Sequence, residues 1–208
     1  MLYPDQRPAR MIIGSLMIGI GLLCVALTVV FLTRAAVARG GKAPRIAVGV
    51  TLFGGVAMFV GYTLQGFALV SISSKFAKES GLSYDEMQNL LKNPMRIIGS
   101  WAGLLGTLTL GFGFVMASLN AMRVGLLTRF LGYIGILAGV MIVLPFMGGL
   151  LLVQAFWLLA VAATVADRWP GGRPPAWDDG EAHPWPSASE ARTRAAEQRE
   201  ASKNGKPA

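Results

Sequence analysis

Charge is what this chain has least of. Only 14% of its 208 residues are Asp, Glu, Lys or Arg, well short of the roughly 25% typical of a soluble domain. Residues 11–33, 46–74, 97–122 and 130–166 contain no Asp, Glu, Lys, Arg or His at all. Proton relays and ion-coupled pumps rely on ionisable groups within the membrane, so these stretches disfavour such a role. Intramembrane proteolysis fares no better, because neither an aspartate pair nor a Ser with a His base can be assembled from them. Cysteine occurs once, as Cys24 in the middle of the first stretch. No intramolecular disulfide is therefore open to the chain, and Cys24 reads as a small buried apolar residue.

What is abundant is apolar: 53% of the residues are hydrophobic. Each uncharged stretch exceeds the ~18 residues needed to cross a hydrocarbon core of roughly 30 Å as a helix. The expected fold is all-α, a polytopic transmembrane helical bundle occupying residues 1–166, followed by a Pro/Trp-rich tail at 167–208 that is partly disordered. The stretch 130–166 would be about 55 Å long as one helix, nearly twice the membrane core. Pro145 and the pair Gly148-Gly149 divide it at an uncharged hairpin. Five spans are thereby predicted, at about 11–33, 46–74, 97–119, 130–147 and 149–166. A single kinked, strongly tilted helix is the alternative. The first stretch is longer than a signal-peptide core, and Arg34 separates it from the cleavage-like triplet Ala36-Val37-Ala38. It is expected to be an uncleaved span.

The net charge of +8 could suggest nucleic acid, but its location argues otherwise. The tail after Ala166 is neutral, with seven basic and seven acidic residues, so the whole excess flanks the apolar stretches. There Lys and Arg meet lipid headgroups and orient helices. With five spans, eight basic residues (among them Arg34, Arg39, Arg123 and Arg129) fall on one side and six (among them Arg10, Lys75 and Arg96) on the other. This margin favours an outside amino terminus and a cytoplasmic tail in a cell membrane. The expected partners are the lipid bilayer and a protein, with no nucleic acid.

The loop between the second and third spans carries its own signals. Ser83-Tyr84-Asp85-Glu86 has the spacing of a capping box, and Asn93-Pro94 ends the short helix it opens at about 84–92. Met87, Leu90 and Leu91 share one face of it, suited to headgroups or to a docking partner. Within the spans, Gly99-x-x-x-Gly103 and Gly135-x-x-x-Gly139 are small-residue spacings that let helices approach closely, within one chain or between copies in a homo-oligomer. Gln65 and Gln154 fall in the outer third of their helices. They could meet in an interhelical hydrogen bond, or else line a path for a small neutral solute.

The tail places Trp169, Trp177 and Trp185 at eight-residue intervals among prolines that forbid a helix. Trp169 suits an interfacial anchor. Trp177 and Trp185 are expected either to lie back on headgroups or loops, or to contact a partner. Asp178, Asp179, Glu181 and His183 are the only cluster of metal-ligand types, and a solvated turn accounts for them better than a metal site. No metal or cofactor is expected.

The RWPGG, PPAW, GEA and PWPS elements of residues 168–187, after a Gly/Ala/Leu-rich bundle with the loop Asn120 to Arg129, resemble uncharacterised multi-pass membrane proteins of high-GC Gram-positive bacteria. The resemblance implies a bacterial inner membrane and carries no activity with it. A non-enzymatic scaffold or accessory subunit of a membrane complex is the expected function. The alternative is a transporter or channel for a small neutral or apolar solute, with a lipid-modifying enzyme a distant third.

Overall fold

A computed structural model describes residues 8–44, 46–78, 92–144, 151–186 and 188–203. Its elements are helices α1 (Pro8–Ala38), α2 (Ile46–Lys78), α3 (Pro94–Arg123), α4 (Arg129–Val143), α5 (Leu151–Val165) and α6 (Ala188–Lys203), with one 3-10 turn at Pro175–Trp177. The architecture is the expected all-helical one. Three helices, α1 to α3, are long and apolar enough to cross a membrane, and α4 and α5 are shorter apolar helices. Each long helix continues past its uncharged stretch, α1 through Arg34 and α3 from before Arg96. At 30 to 33 residues they reach about 45–50 Å, beyond the roughly 30 Å hydrocarbon core. The 15-residue α4 and α5 reach only about 22 Å.

Local chemistry explains the helix ends. The Asn93 side chain accepts the Met95 N–H at 2.9 Å, ahead of Pro94 at the first helical position, where a missing donor costs nothing. Thr128 caps α4 by accepting the Leu131 N–H at 3.3 Å. At the end of α3, Gly125 takes a φ of +79° and the Leu126 N–H reaches back to the Ala121 carbonyl at 2.8 Å, the six-to-one bond of a Schellman cap. At the end of α5 the same bond runs from the Arg168 N–H to the Ala163 carbonyl at 2.8 Å. There the left-handed position is filled by Asp167, with a φ of 55°.

The helices α1 and α3 both pack on α2, α1 also meets α3, and α4 bridges α3 to α5. The closest approach is antiparallel and runs along glycines at seven-residue spacing. A Cβ on Gly61 would lie 2.8 Å from the Gly99 carbonyl oxygen and 2.8 Å from the Gly103 nitrogen. One two-turn step away, a Cβ on Gly54 would meet the Leu110 nitrogen at 2.7 Å, and one on Gly106 would meet the Gly54 carbonyl oxygen at 2.9 Å. Backbone against backbone at this range leaves no room for a side chain. A second approach joins α3 to α4, where Cβ atoms on Gly111 and Gly139 would each lie 2.8 Å from the other's carbonyl oxygen.

The tightest core lies toward the α3–α4 loop. Trp157 of α5 is fully buried, tilted against Phe114 of α3 at 5.1 Å between centroids. Its indole N–H donates to the Leu131 carbonyl of α4 at 2.9 Å, and Gln154 Nε2 donates to the Ala138 carbonyl at 3.2 Å. These two pairings run in opposite senses along the chain, so α4 and α5 form an antiparallel hairpin rather than one kinked helix. Pro145 and Gly148-Gly149, which prompted the hairpin expectation, lie outside the described residues, as do the capping box from Ser83 to Glu86, Met87, Leu90 and Leu91. One expectation is corrected. Cys24 is exposed on the outer surface of α1, where apolar residues face lipid as readily as core in a membrane bundle.

Candidate functional site at the strapped end of the bundle

The tail after α5 packs on one end of the bundle. After α5 the chain turns back and crosses the end of the bundle formed by the end of α1 and the α3–α4 loop. That loop exposes carbonyls that helix geometry leaves unsatisfied. The tail supplies their donors: the Trp177 indole N–H to Leu126 at 2.8 Å, the Trp185 indole N–H to Leu127 at 2.9 Å and the His183 backbone N–H to Val124 at 3.0 Å. Gly125 sits so close beneath His183 that a Cβ would collide with its carbonyl. This adds a packing reason to the conformational one for glycine there.

Two arginines grip the strap from the bundle side. Arg39, just past the end of α1, donates from Nε to the Ala176 carbonyl and from an amino nitrogen to the Ala35 carbonyl at 2.9 Å. Its guanidinium also lies over the Trp177 ring, 5.4 Å from the centroid, within cation–π range. The Trp177 ring in turn stacks on Phe31 at 6.1 Å and 17°. Arg129 donates to the Pro186 carbonyl at the far end. Ala176 between them is fully buried.

The acidic turn folds on itself. Asp179 accepts the Glu181 backbone N–H at 2.9 Å and pairs with the His183 ring. The Glu181 N–H first, and the His183 ring second, hold the Asp179 carboxyl below its ordinary value of 3.8. Among the described residues no group of three or more His, Cys, Asp or Glu side chains is arranged to hold a metal.

The sequence-predicted residues therefore fall in different places. Trp177 and Trp185 come together on the loop, with Trp185 still 41% exposed. Trp169 stands apart, edge-on to Phe156 of α5 at 6.5 Å. Gln65 and Gln154 do not meet. Gln65 Nε2 reaches the Gly99 carbonyl of α3 at 3.5 Å, a long contact, whereas Gln154 serves α4. The helix rotations point them at different neighbours, so the expected pair is replaced by two separate side chain to carbonyl contacts. Gly99 lies at the α2–α3 approach and Gly139 at the α3–α4 approach, while a Cβ on Gly135 would press on the Trp157 ring, 2.8 Å from Cε2. Gly103 matters through its backbone, since its own Cβ would meet only Gln65 Nε2 at 3.7 Å. Arg39 and Arg129, read from the sequence only as orienting charges, turn out to be tail ligands. Their position beside the first and third loops is the one signal that could have suggested it.

A groove of about 520 Å³ opens at the other end of α1. Its walls are apolar residues of α1 and α2, and Arg10 and Arg96 stand at it.

Apolar helices at this length, close glycine seams and long uncharged stretches within the helices define an all-helical membrane bundle, here with one end closed by its own tail. The chain belongs to the DUF4386 family, a domain of unknown function, whose family model matches residues 5–169. No curated protein and no solved structure matches it.

Proposed function

We propose that this protein is a multi-pass component of a bacterial inner membrane that acts as a non-enzymatic scaffold or accessory subunit. In this reading the strapped end is the face it offers to a protein partner. One observation carries it: tail and loop are bonded into a single ordered platform, with Trp185 left partly exposed at its edge. Partly exposed, oriented tryptophans on rigid backbones are the residue type that most often dominates protein contacts. The charge count, eight basic residues on this side against six on the other, favours a cytoplasmic platform and an amino terminus outside. The antiparallel pairing of α4 with α5 supports a tail on the same side as the α3–α4 loop, whether or not these two short helices cross completely. A solute-conducting role draws less support, because Gln65 and Gln154 serve different helix contacts.

A photo-crosslinking amino acid at position 185, compared in living cells with one at the exposed Leu159 of α5, tests the reading. The expected result is a discrete protein adduct at 185 that disappears in Trp177→Ala. Identical adducts at both positions, or none at 185, would overturn it. Orientation is checked by labelling Glu181→Cys in a Cys24→Ala background with a membrane-impermeant thiol reagent. Labelling is expected only after cell permeabilisation.

A further inference from the structure

The groove at the opposite end of α1 has a composition that a bare lipid-facing surface does not need. Met11 and Ile18 of α1 face Leu69 and Ile72 of α2 across it, giving an apolar trough. Ser15, Tyr62 and Gln65 add hydroxyl and amide groups along it. Arg10 of α1 and Arg96 of α3, far apart in sequence, both border it. Two arginines bordering an apolar trough suit an acidic headgroup carrying an acyl chain. Arginine is suited to such headgroups because its planar fork matches carboxylate and phosphate oxygens in pairs, and basic pockets between membrane helices hold anionic lipids in this manner. The volume of about 520 Å³ falls within the range of roughly 300–1,000 Å³ for a site enclosing one small-molecule ligand.

We propose that this groove binds one anionic amphiphile, its acyl chain against Met11, Ile18, Leu69 and Ile72 and its acidic group between Arg10 and Arg96. The small residues of α1 and α2 make room for the chain. Gly14 borders the groove, and a Cβ added there would meet nothing within 4 Å. A leucine at this position can therefore project into the trough without disturbing the helix contacts, which supplies a probe of the trough that leaves both arginines in place.

The test uses the full chain purified in a neutral detergent and native mass spectrometry with three probes: oleate, dioleoylphosphatidylglycerol and oleyl alcohol. Retention of one anionic probe per protein, with oleyl alcohol retained at least about tenfold more weakly, is expected from loss of a charge-assisted contact. Oleate retained without phosphatidylglycerol identifies a free fatty acid as the occupant, and retention of both identifies a membrane lipid. Arg10→Gln/Arg96→Gln should lower anionic retention by about tenfold or more. Gly14→Leu should lower it comparably while leaving thermal stability unchanged or raised. Equal retention of oleyl alcohol overturns the proposal. So does a Gly14→Leu protein that binds anionic probes as well as the parent, because the arginines would then be attracting lipid at the surface without the trough.

Discussion

Replacing Gly61 by alanine isolates the energetics of the α2–α3 seam. The added methyl would lie 2.8 Å from both the Gly99 carbonyl oxygen and the Gly103 nitrogen. Both atoms are backbone, so no side chain can swing aside and the helices must part by roughly half an ångström. Overpacking of this kind costs about 1–3 kcal/mol. Alanine returns about 0.5–1 kcal/mol through its higher helix propensity. Gly49 is the control, since it lies on the same helix and a Cβ there meets nothing within 4 Å. Gly49→Ala keeps the propensity gain without the collision. The difference between the two variants therefore equals the packing cost alone, about 1–3 kcal/mol. Unfolding in mixed micelles by titration with a denaturing detergent, followed by circular dichroism, measures it. Equal stabilities for the two variants would refute the seam, because they would mean that α2 and α3 do not meet at Gly61.

Four further outcomes follow from particular contacts. Trp177→Phe removes the bond to the Leu126 carbonyl and should speed protease cleavage in residues 168–186 by about fivefold, the equivalent of the ~1 kcal/mol worth of one hydrogen bond; Trp177→Ala, which also loses Arg39 and Phe31, should speed it further, and unchanged rates for both would show that the strap does not depend on the ring. Asp167→Gly relieves a positive φ of 55° and should stabilise the bundle by up to about 1 kcal/mol in the same denaturation assay; a loss of stability would refute the strain at this position. Because the Asp179 carboxyl is held below 3.8, its contribution to the turn is complete above that value and is lost as pH falls through the lowered one; tryptophan fluorescence should report loosening only in this acid range, and Asp179→Asn should flatten the profile. Gln154 Oε1 is buried without a protein partner, so Gln154→Leu should alter stability by less than about 1 kcal/mol, whereas a loss above about 2 kcal/mol would mean that the amide oxygen is engaged.

The membrane helices were legible because the exclusion of charge is a one-dimensional signal: a stretch without Lys, Arg, Asp or Glu must be somewhere that charge is expensive. The caps at Asn93 and Thr128 are equally local. Azimuth is different. Whether Gln65 faces Gln154 depends on how each helix is rotated and which neighbour it meets, and depth along the membrane carries neither quantity. The α2–α3 seam shows an intermediate case, since a four-residue search finds Gly99 and Gly103 but passes over the seven-residue partners Gly54 and Gly61, Gly99 and Gly106, that antiparallel packing uses. The strap was least visible. Its acceptors are backbone carbonyls, those of Val124, Leu126 and Leu127 in the loop and of Ala176 and Pro186 in the tail, which every residue possesses, and only the side-chain donors, two tryptophans and two arginines, have an identity that a sequence displays.

Because the family match ends at residue 169, a chain trimmed to that boundary would retain every apolar helix and lose the lid. The carbonyls of Val124, Leu126 and Leu127 would lose their tail donors together, and the stacking of Trp177 on Phe31 would go with them. The shortened protein should therefore be the stickier one, prone to self-association at its loop end, and recombinant versions meant to stay monodisperse should run through Pro186.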